Sequence, residues 1–199
     1  YSKNPILLIV TNPLDVMTYL AWKKSGLPEK RVLGMAGVLD SARYNAFIAM
    51  ELGISQKDVR SMVLGGHGDS MVPLPELSTV NGIPIPKLIK PERIAVINQR
   101  TRDGGAEIVK LLKTGSAFYA PSSAACLMAE AILRDTGRIL PSCVYLQGEY
   151  GIRGIFGGVP ARLGREGVLE VIEVKLEPQE LEALKKSCQE VESIINRLK

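Results

Sequence analysis

Hydrophobic and polar positions fall along this chain in blocks with different periods. Pro5-Ile6-Leu7-Leu8-Ile9-Val10 is an unbroken apolar run, the pattern of a strand covered on both faces in a parallel sheet under helices. Thr11-Asn12-Pro13 then turns the chain, because the residue before a proline is held extended and proline suits a helix's first turn. Leu14, Met17, Leu20 and Ala21 recur at helical spacing up to Gly26, with Pro28 just beyond, which predicts a helix of about three turns. Residues 31–37 predict a second short buried strand. Asp40 stands at the N-cap of the next helix, with Ala42, Phe47, Ile48 and Met50 following to Gly53. Residues 59–64 predict a third strand, and the chain leaves it at Gly65-Gly66-His67.

From Met71 the alternation of strand and helix stops. Residues 71–74 and 77–84 read as short strands around an Asn81-Gly82 turn. A helix is expected over 92–112, bent or broken at Gly104-Gly105, and another over 122–134, capped by Ser122 or Ser123 after Pro121. Residues 139–147, 158–163 and 168–176 predict strands of a half-buried antiparallel sheet. Residues 178–198 place Leu181, Leu184, Cys188, Val191, Ile194, Ile195 and Leu198 on one face of an amphipathic helix. Glycines at 148, 151, 154 and 157 fall at every third residue, too few and too poor in proline for a collagen helix, so they predict an irregular loop. The fold class that follows is α/β giving way to α+β.

Composition narrows the classes. At 199 residues and 46% hydrophobic, the chain can bury one substantial core, or one domain and part of another. Its longest apolar run is too short to cross a bilayer and no leader pattern opens it, so a cytoplasmic protein without a membrane partner is expected. Cys126, Cys143 and Cys188 are widely spaced and odd in number, which predicts reduced thiols and no metal site. The net charge of +4 is scattered, so nucleic acid is not an expected partner, while a small anion is compatible.

The candidate chemistry lies at turns. His67 is the only histidine, and it sits among Gly65, Gly66 and Gly68, residues that allow unusual backbone angles and close approach by another molecule. Imidazole gives and takes a proton near neutral pH. Asn12, Asp40 with Arg43, and His67 each follow a predicted buried strand, and in an open α/β sheet such positions line one edge, where ligands bind. Taken singly, each has a plainer role as turn residue, helix cap, solvated charge or packed histidine.

Taken together, Val10-Thr11-Asn12-Pro13-Leu14-Asp15, Leu39-Asp40-Ser41-Ala42-Arg43 and Gly65-Gly66-His67-Gly68-Asp69-Ser70 resemble, in order and spacing, the lactate/malate dehydrogenase family. The resemblance continues through Lys113-Thr114-Gly115-Ser116-Ala117-Phe118-Tyr119-Ala120-Pro121 and Gly158-Val159-Pro160-Ala161-Arg162-Leu163-Gly164, and is closest to the malate dehydrogenases built like lactate dehydrogenases. It implies the last strands of a doubly wound Rossmann domain (residues 1–37) followed by the α+β substrate domain (38–199). It also implies NAD as cofactor and hydride exchange with a 2-hydroxy dicarboxylate. By the same resemblance His67 is the general acid and base, Asp40 accepts a hydrogen bond from its other ring nitrogen, and Arg43 clamps the substrate carboxylate. Asn12 touches substrate and nicotinamide, Val10 and Thr11 belong to the cofactor side, and a homo-oligomer, dimer or tetramer, is implied. Ala117 occupies a place where lactate dehydrogenases carry a larger threonine, which favours malate, while lactate or another 2-hydroxy acid stays open. The pattern departs at one point: no G-x-G-x-x-G phosphate turn occurs. The chain therefore reads as a C-terminal portion, expected by itself neither to bind NADH measurably nor to reduce oxaloacetate. A folded, non-catalytic fragment is the alternative of another class.

Overall fold

In the computed structural model, which describes residues 2–115 and 117–197, the first two apolar runs become β1 (Leu7–Ile9) and β2 (Val32–Gly34), paired in parallel, but only β2 is buried and β1 is half-buried, short of the two-sided cover expected for it. A parallel pair needs a crossover, and α1 (Leu14–Ser25) supplies it, ending at Gly26 in the left-handed conformation with its N–H on the Trp22 carbonyl.

Helix α2 (Gly37–Leu52) starts three residues before the predicted cap, so Asp40 lies inside its first turn. A side chain at Gly37 would run into the Val63 carbonyl and Pro141, so the helix begins where only glycine fits. Of the predicted face, Ile48 is buried and Phe47 half-buried, but Ala42 and Met50 are exposed; Tyr44 takes the buried place instead.

The predicted third strand is two strands in different sheets. β3 (Val59–Arg60) pairs with β6 (Thr79–Val80), which continues into β7 (Ile83–Pro84) around Asn81-Gly82, whereas β4 (Val63–Leu64) pairs with β5 (Val72–Pro73). Val59 and Val63 are both fully buried in one cluster, which is why the stretch read as continuous. The His67 loop therefore joins an antiparallel pair. It does not emerge at the edge of the parallel strands.

Helix α3 (Pro91–Leu112) passes Gly104-Gly105 without a break. Gly104 faces the Arg43 Cδ and the Phe47 ring of α2 with room for a methyl at ordinary contact distance, so packing against α2 carries the helix through the pair despite a propensity cost of about 1 kcal/mol each. Helix α4 (Tyr119–Leu133) also starts early; the Ser122 hydroxyl donates to the Phe118 carbonyl within the first turn and does not cap.

β8 (Ile139–Gln147), β9 (Arg153–Gly164) and β10 (Gly167–Val171) are antiparallel neighbours. β9 starts five residues earlier than expected and takes Gly154 and Gly157 out of the predicted loop. β10 stops at Val171 because the next residues turn to Tyr150, whose hydroxyl donates to the Ile172 carbonyl and accepts from the Val174 amide. One sheet results, in the order β1-β2-β8-β9-β10, with Gly34 opposite Cys143 where β2 meets β8.

Helix α5 (Pro178–Asn196) opens on a reciprocal Glu177–Glu180 capping box and buries Leu184, Ser187, Cys188, Val191 and Ile195. Ile194 is exposed, and Leu198 lies outside the described residues. The main core packs α4 and α5 on β8 and β9 through residues such as Met128, Leu146, Val159 and Leu184, and a second core joins α2 and α3 through Tyr44, Ile48 and Ile97. Leu64 belongs to the first and Val63 to the second, so β4 releases the His67 loop at the seam between them.

Candidate active site

Three successive main-chain N–H groups leaving β4 are each held by a different element. Gly65 donates to the Gly158 carbonyl of β9 at 2.8 Å, Gly66 to the Ser187 Oγ of α5 at 2.7 Å, and His67 to the Asp15 Oδ2 of α1 at 2.8 Å. The glycines serve this packing. A Cβ on Gly65 or Gly66 would crowd the Ser187 hydroxyl, and one on Gly158 would strike the Gly65 carbonyl. Gly65 and Gly66 are small because the protein closes on itself there, which corrects the expectation that they make room for another molecule, whereas Gly68 borders the cavity with open space where a Cβ would stand.

With the backbone fixed, the imidazole Nδ1 lies 2.9 Å from Asp40 Oδ2, and Asp40 Oδ1 accepts from Arg43 Nη1 at 3.3 Å. The Asp40 carboxylate, inside the first turn of α2 and not at its N-cap, is thereby committed to the site. A carboxylate can only accept, so the neutral ring carries its proton on Nδ1 and keeps Nε2 free. Burial, the largest single influence on His67, disfavours its charged form. The Asp40 hydrogen bond and the charges of Asp40 and Asp15 outweigh burial and the opposing Arg43, so the pKa stands above its ordinary 6.5. Asp15 is itself almost wholly buried, and that burial pushes its carboxyl up despite the amide it accepts from His67.

His67 lines a cavity of about 550 Å³ shared with Val10, Thr11, Asn12, Arg43 and Ala117. Every residue predicted for the site faces this space except Asp40, which is 2% exposed and stands behind the imidazole. Arg43 lines the cavity, and its Nε is buried without a hydrogen-bond partner among the described residues. Val10, Thr11 and Asn12 are exposed at the carboxyl end of β1, next to β2, where parallel strands open a ligand crevice.

Three residues of the site were not singled out from sequence. Arg102 of α3 lines the cavity and its Nε donates to the Met71 carbonyl at 3.1 Å. Ser187 lies far along the chain, and no local pattern marks either residue. Asp15 carried a readable signal, an acid between Leu14 and Val16 on a helix's buried end.

A family model described as the lactate/malate dehydrogenase α/β C-terminal domain matches residues 37–199, and its NAD-binding-domain counterpart matches residues 1–34. The chain belongs to the lactate/malate dehydrogenase family. The family's architecture accounts for the α/β start and α+β continuation: β1, α1 and β2 are the last elements of its Rossmann-like part, and the rest is its C-terminal domain. A malate dehydrogenase of Synechocystis sp. is 59% identical over 191 residues, 96% of this chain and 59% of that protein. The solved malate dehydrogenase of Salinibacter ruber superposes with a TM-score of 0.95 at 53% identity, over 97% of this chain and 63% of its own. The lactate dehydrogenase of Cryptosporidium parvum, solved with lactic acid and nicotinamide adenine dinucleotide, gives 0.93 at 43% identity over 96% of this chain and 62% of its own. The chain thus spans about three fifths of the length of these relatives.

Proposed function

We propose that this chain carries the substrate-side active site of an NAD-dependent malate dehydrogenase, interconverting malate and oxaloacetate. The observation that carries the reading is one cavity holding an imidazole backed by a buried carboxylate beside the Arg43 guanidinium. Nε2 of neutral His67 takes the hydroxyl proton as malate is oxidised, and protonated His67 returns it as oxaloacetate is reduced. Asp40 holds the ring in the Nδ1–H tautomer and stabilises the imidazolium. Arg43 holds the carboxylate next to the reacting carbon, where two parallel charge-assisted bonds fix its plane. Asn12 bridges substrate and nicotinamide, and the Val10 and Thr11 main chain borders the nicotinamide at the carboxyl ends of β1 and β2, a place that suits a flat ring. NAD, when bound, supplies the hydride acceptor or donor.

The preference for malate rests on Ala117, whose small side chain leaves room for a second carboxylate, and on likeness to malate dehydrogenases. The division into residues 1–37 on the cofactor side and 38–199 on the substrate side belongs to the same reading. So does a cytoplasmic homo-oligomer. Exposed apolar residues such as Leu111, Phe118, Tyr119 and Leu133 favour a protein partner, and among the described residues no helix is long and apolar enough to cross a membrane.

The test is NADH oxidation driven by oxaloacetate, with a polypeptide carrying the family's phosphate-binding turn supplied in trans. His67→Asn is expected to lower turnover by about 10²–10⁴-fold while leaving NADH binding intact, the range that general acid–base catalysis supplies. Near-normal turnover of that variant refutes the assignment.

A further inference from the structure

The loop that carries His67 is closed from a distance. Gly66 and Ser70 are the two ends of a five-residue arc with His67 inside it, and one side chain touches both ends. The Ser187 hydroxyl, on α5, accepts from the Gly66 N–H at 2.7 Å and donates to Ser70 Oγ at 3.0 Å. Ser187 itself is 1% exposed. The closeness is built into the chain: a Cβ on Gly65 would come within 2.9 Å of this hydroxyl, and one on Gly66 within 3.3 Å.

We propose that Ser187 is a positioning residue for His67, and that α5 sets the imidazole's place against Asp40 by tying the two ends of its loop with one hydroxyl. Its meaning for catalysis rests on His67 being the proton-transfer group, but the placement itself does not. The physical reason is an accounting of main-chain donors. A buried N–H left without an acceptor is costly, so losing the hydroxyl drives Gly66 to turn toward another acceptor or toward solvent. The neighbouring residue moves with it. His67 keeps its Nδ1 contact with Asp40 only while its Cα and ring plane stay put, since hydrogen bonds weaken steeply with misalignment.

The measurement uses the fact that His67 is the sole histidine, so its ring signals need no assignment in tag-free protein. Charged groups acting on the ring are Asp15 from α1 and Asp40 and Arg43 from α2, and Arg102 from α3 and Asp69 from the loop itself line the same cavity. All stay unchanged in the variants. In wild type, NMR is expected to show a protected Nδ1–H and a titration midpoint above 6.5. Ser187→Ala is expected to lose the protected Nδ1–H and to lower the midpoint by about 0.5–1 pH unit while the spectrum stays dispersed. Ser187→Cys fills similar space but accepts poorly and should follow Ala. Recovery of wild-type signals by Cys would make the role one of packing and overturn the proposal. So would a folded Ser187→Ala with the wild-type midpoint and Nδ1–H.

If Ser187→Ala does not fold, Ser70→Ala decides. This half-buried position removes one end of the tie, so a smaller shift in the same direction supports the proposal and none overturns it. Because no substrate is present, failure here is distinct from failure of the malate reading, which the His67→Asn turnover reports.

Discussion

Replacing Asp40 by Asn keeps the shape of the group behind His67 and removes its charge together with one of its two acceptor oxygens, which in wild type meet His67 Nδ1 and Arg43 Nη1. Asp40 is 2% exposed and meets Nδ1 at 2.9 Å, so little solvent screens the pair. A hydrogen bond to a charged partner contributes about 1.5–3 kcal/mol against about 0.5–1.5 for a neutral one, and the difference of about 1–1.5 kcal/mol corresponds to about one pH unit. Burial, the largest influence on this imidazole, already disfavours its charged form and is then opposed by Asp15 alone, with Arg43 acting on the side of burial. The His67 midpoint is therefore expected to fall from above 6.5 to below it in Asp40→Asn. NMR titration of the single imidazole reads this directly. Stability against pH gives a second reading. In wild type the folded-state value is raised, so the contribution of His67 is fully present below its unfolded value of about 6.5 and is lost as pH rises through the folded value. Asp40→Asn should remove or reverse that slope. Asp15 is present in both proteins, so the difference between the two profiles isolates His67. A midpoint in Asp40→Asn equal to or above the wild-type value would refute the electrostatic reasoning.

Arg43→Lys keeps the charge but not the fork, and should raise the oxaloacetate KM by about tenfold or more with little change in NADH affinity, measured by steady-state kinetics with the phosphate-binding half supplied. Gly158→Ala places a methyl against the Gly65 carbonyl, a main-chain atom with no room to yield, and should cost about 1–3 kcal/mol or more in urea unfolding. Gly104→Ala brings only ordinary contact, 3.4 Å from Arg43 Cδ, so helix propensity should prevail and stabilise the protein by up to about 1 kcal/mol in the same assay. Ala117→Thr narrows the cavity and should lower kcat/KM for oxaloacetate more than for pyruvate; an unchanged ratio would remove Ala117 from the specificity reading.

Periodicity and punctuation were legible in the sequence because they are local. The apolar run before Asn12, the helix ending at Gly26, the Asn81-Gly82 hairpin and the amphipathic face of α5 each follow from backbone sterics and a single buried side, and each appears in the structure. The motif residues Asn12, Asp40, Arg43 and His67 could be named from their resemblance to the family's motifs, and the fold brings them to one cavity or directly behind it. Everything that depends on two distant segments meeting was decided by tertiary structure. Residues 59–64 hold buried Val59, Val63 and Leu64 around an exposed Arg60, and no local pattern tells one strand from two; only their different partners, Thr79–Val80 and Val72–Pro73, divide them. Gly104-Gly105 reads as a helix breaker until Arg43 and Phe47 are seen against it, and Gly65, Gly66 and Gly158 mark close contact between β9, α5 and the His67 loop. Asp15, Arg102 and Ser187 hold that loop from three helices at sequence separations of 52, 31 and 121 residues. A hydrogen bond needs its two atoms within about 3 Å in space, and nothing in the local pattern records that distance before the chain has folded.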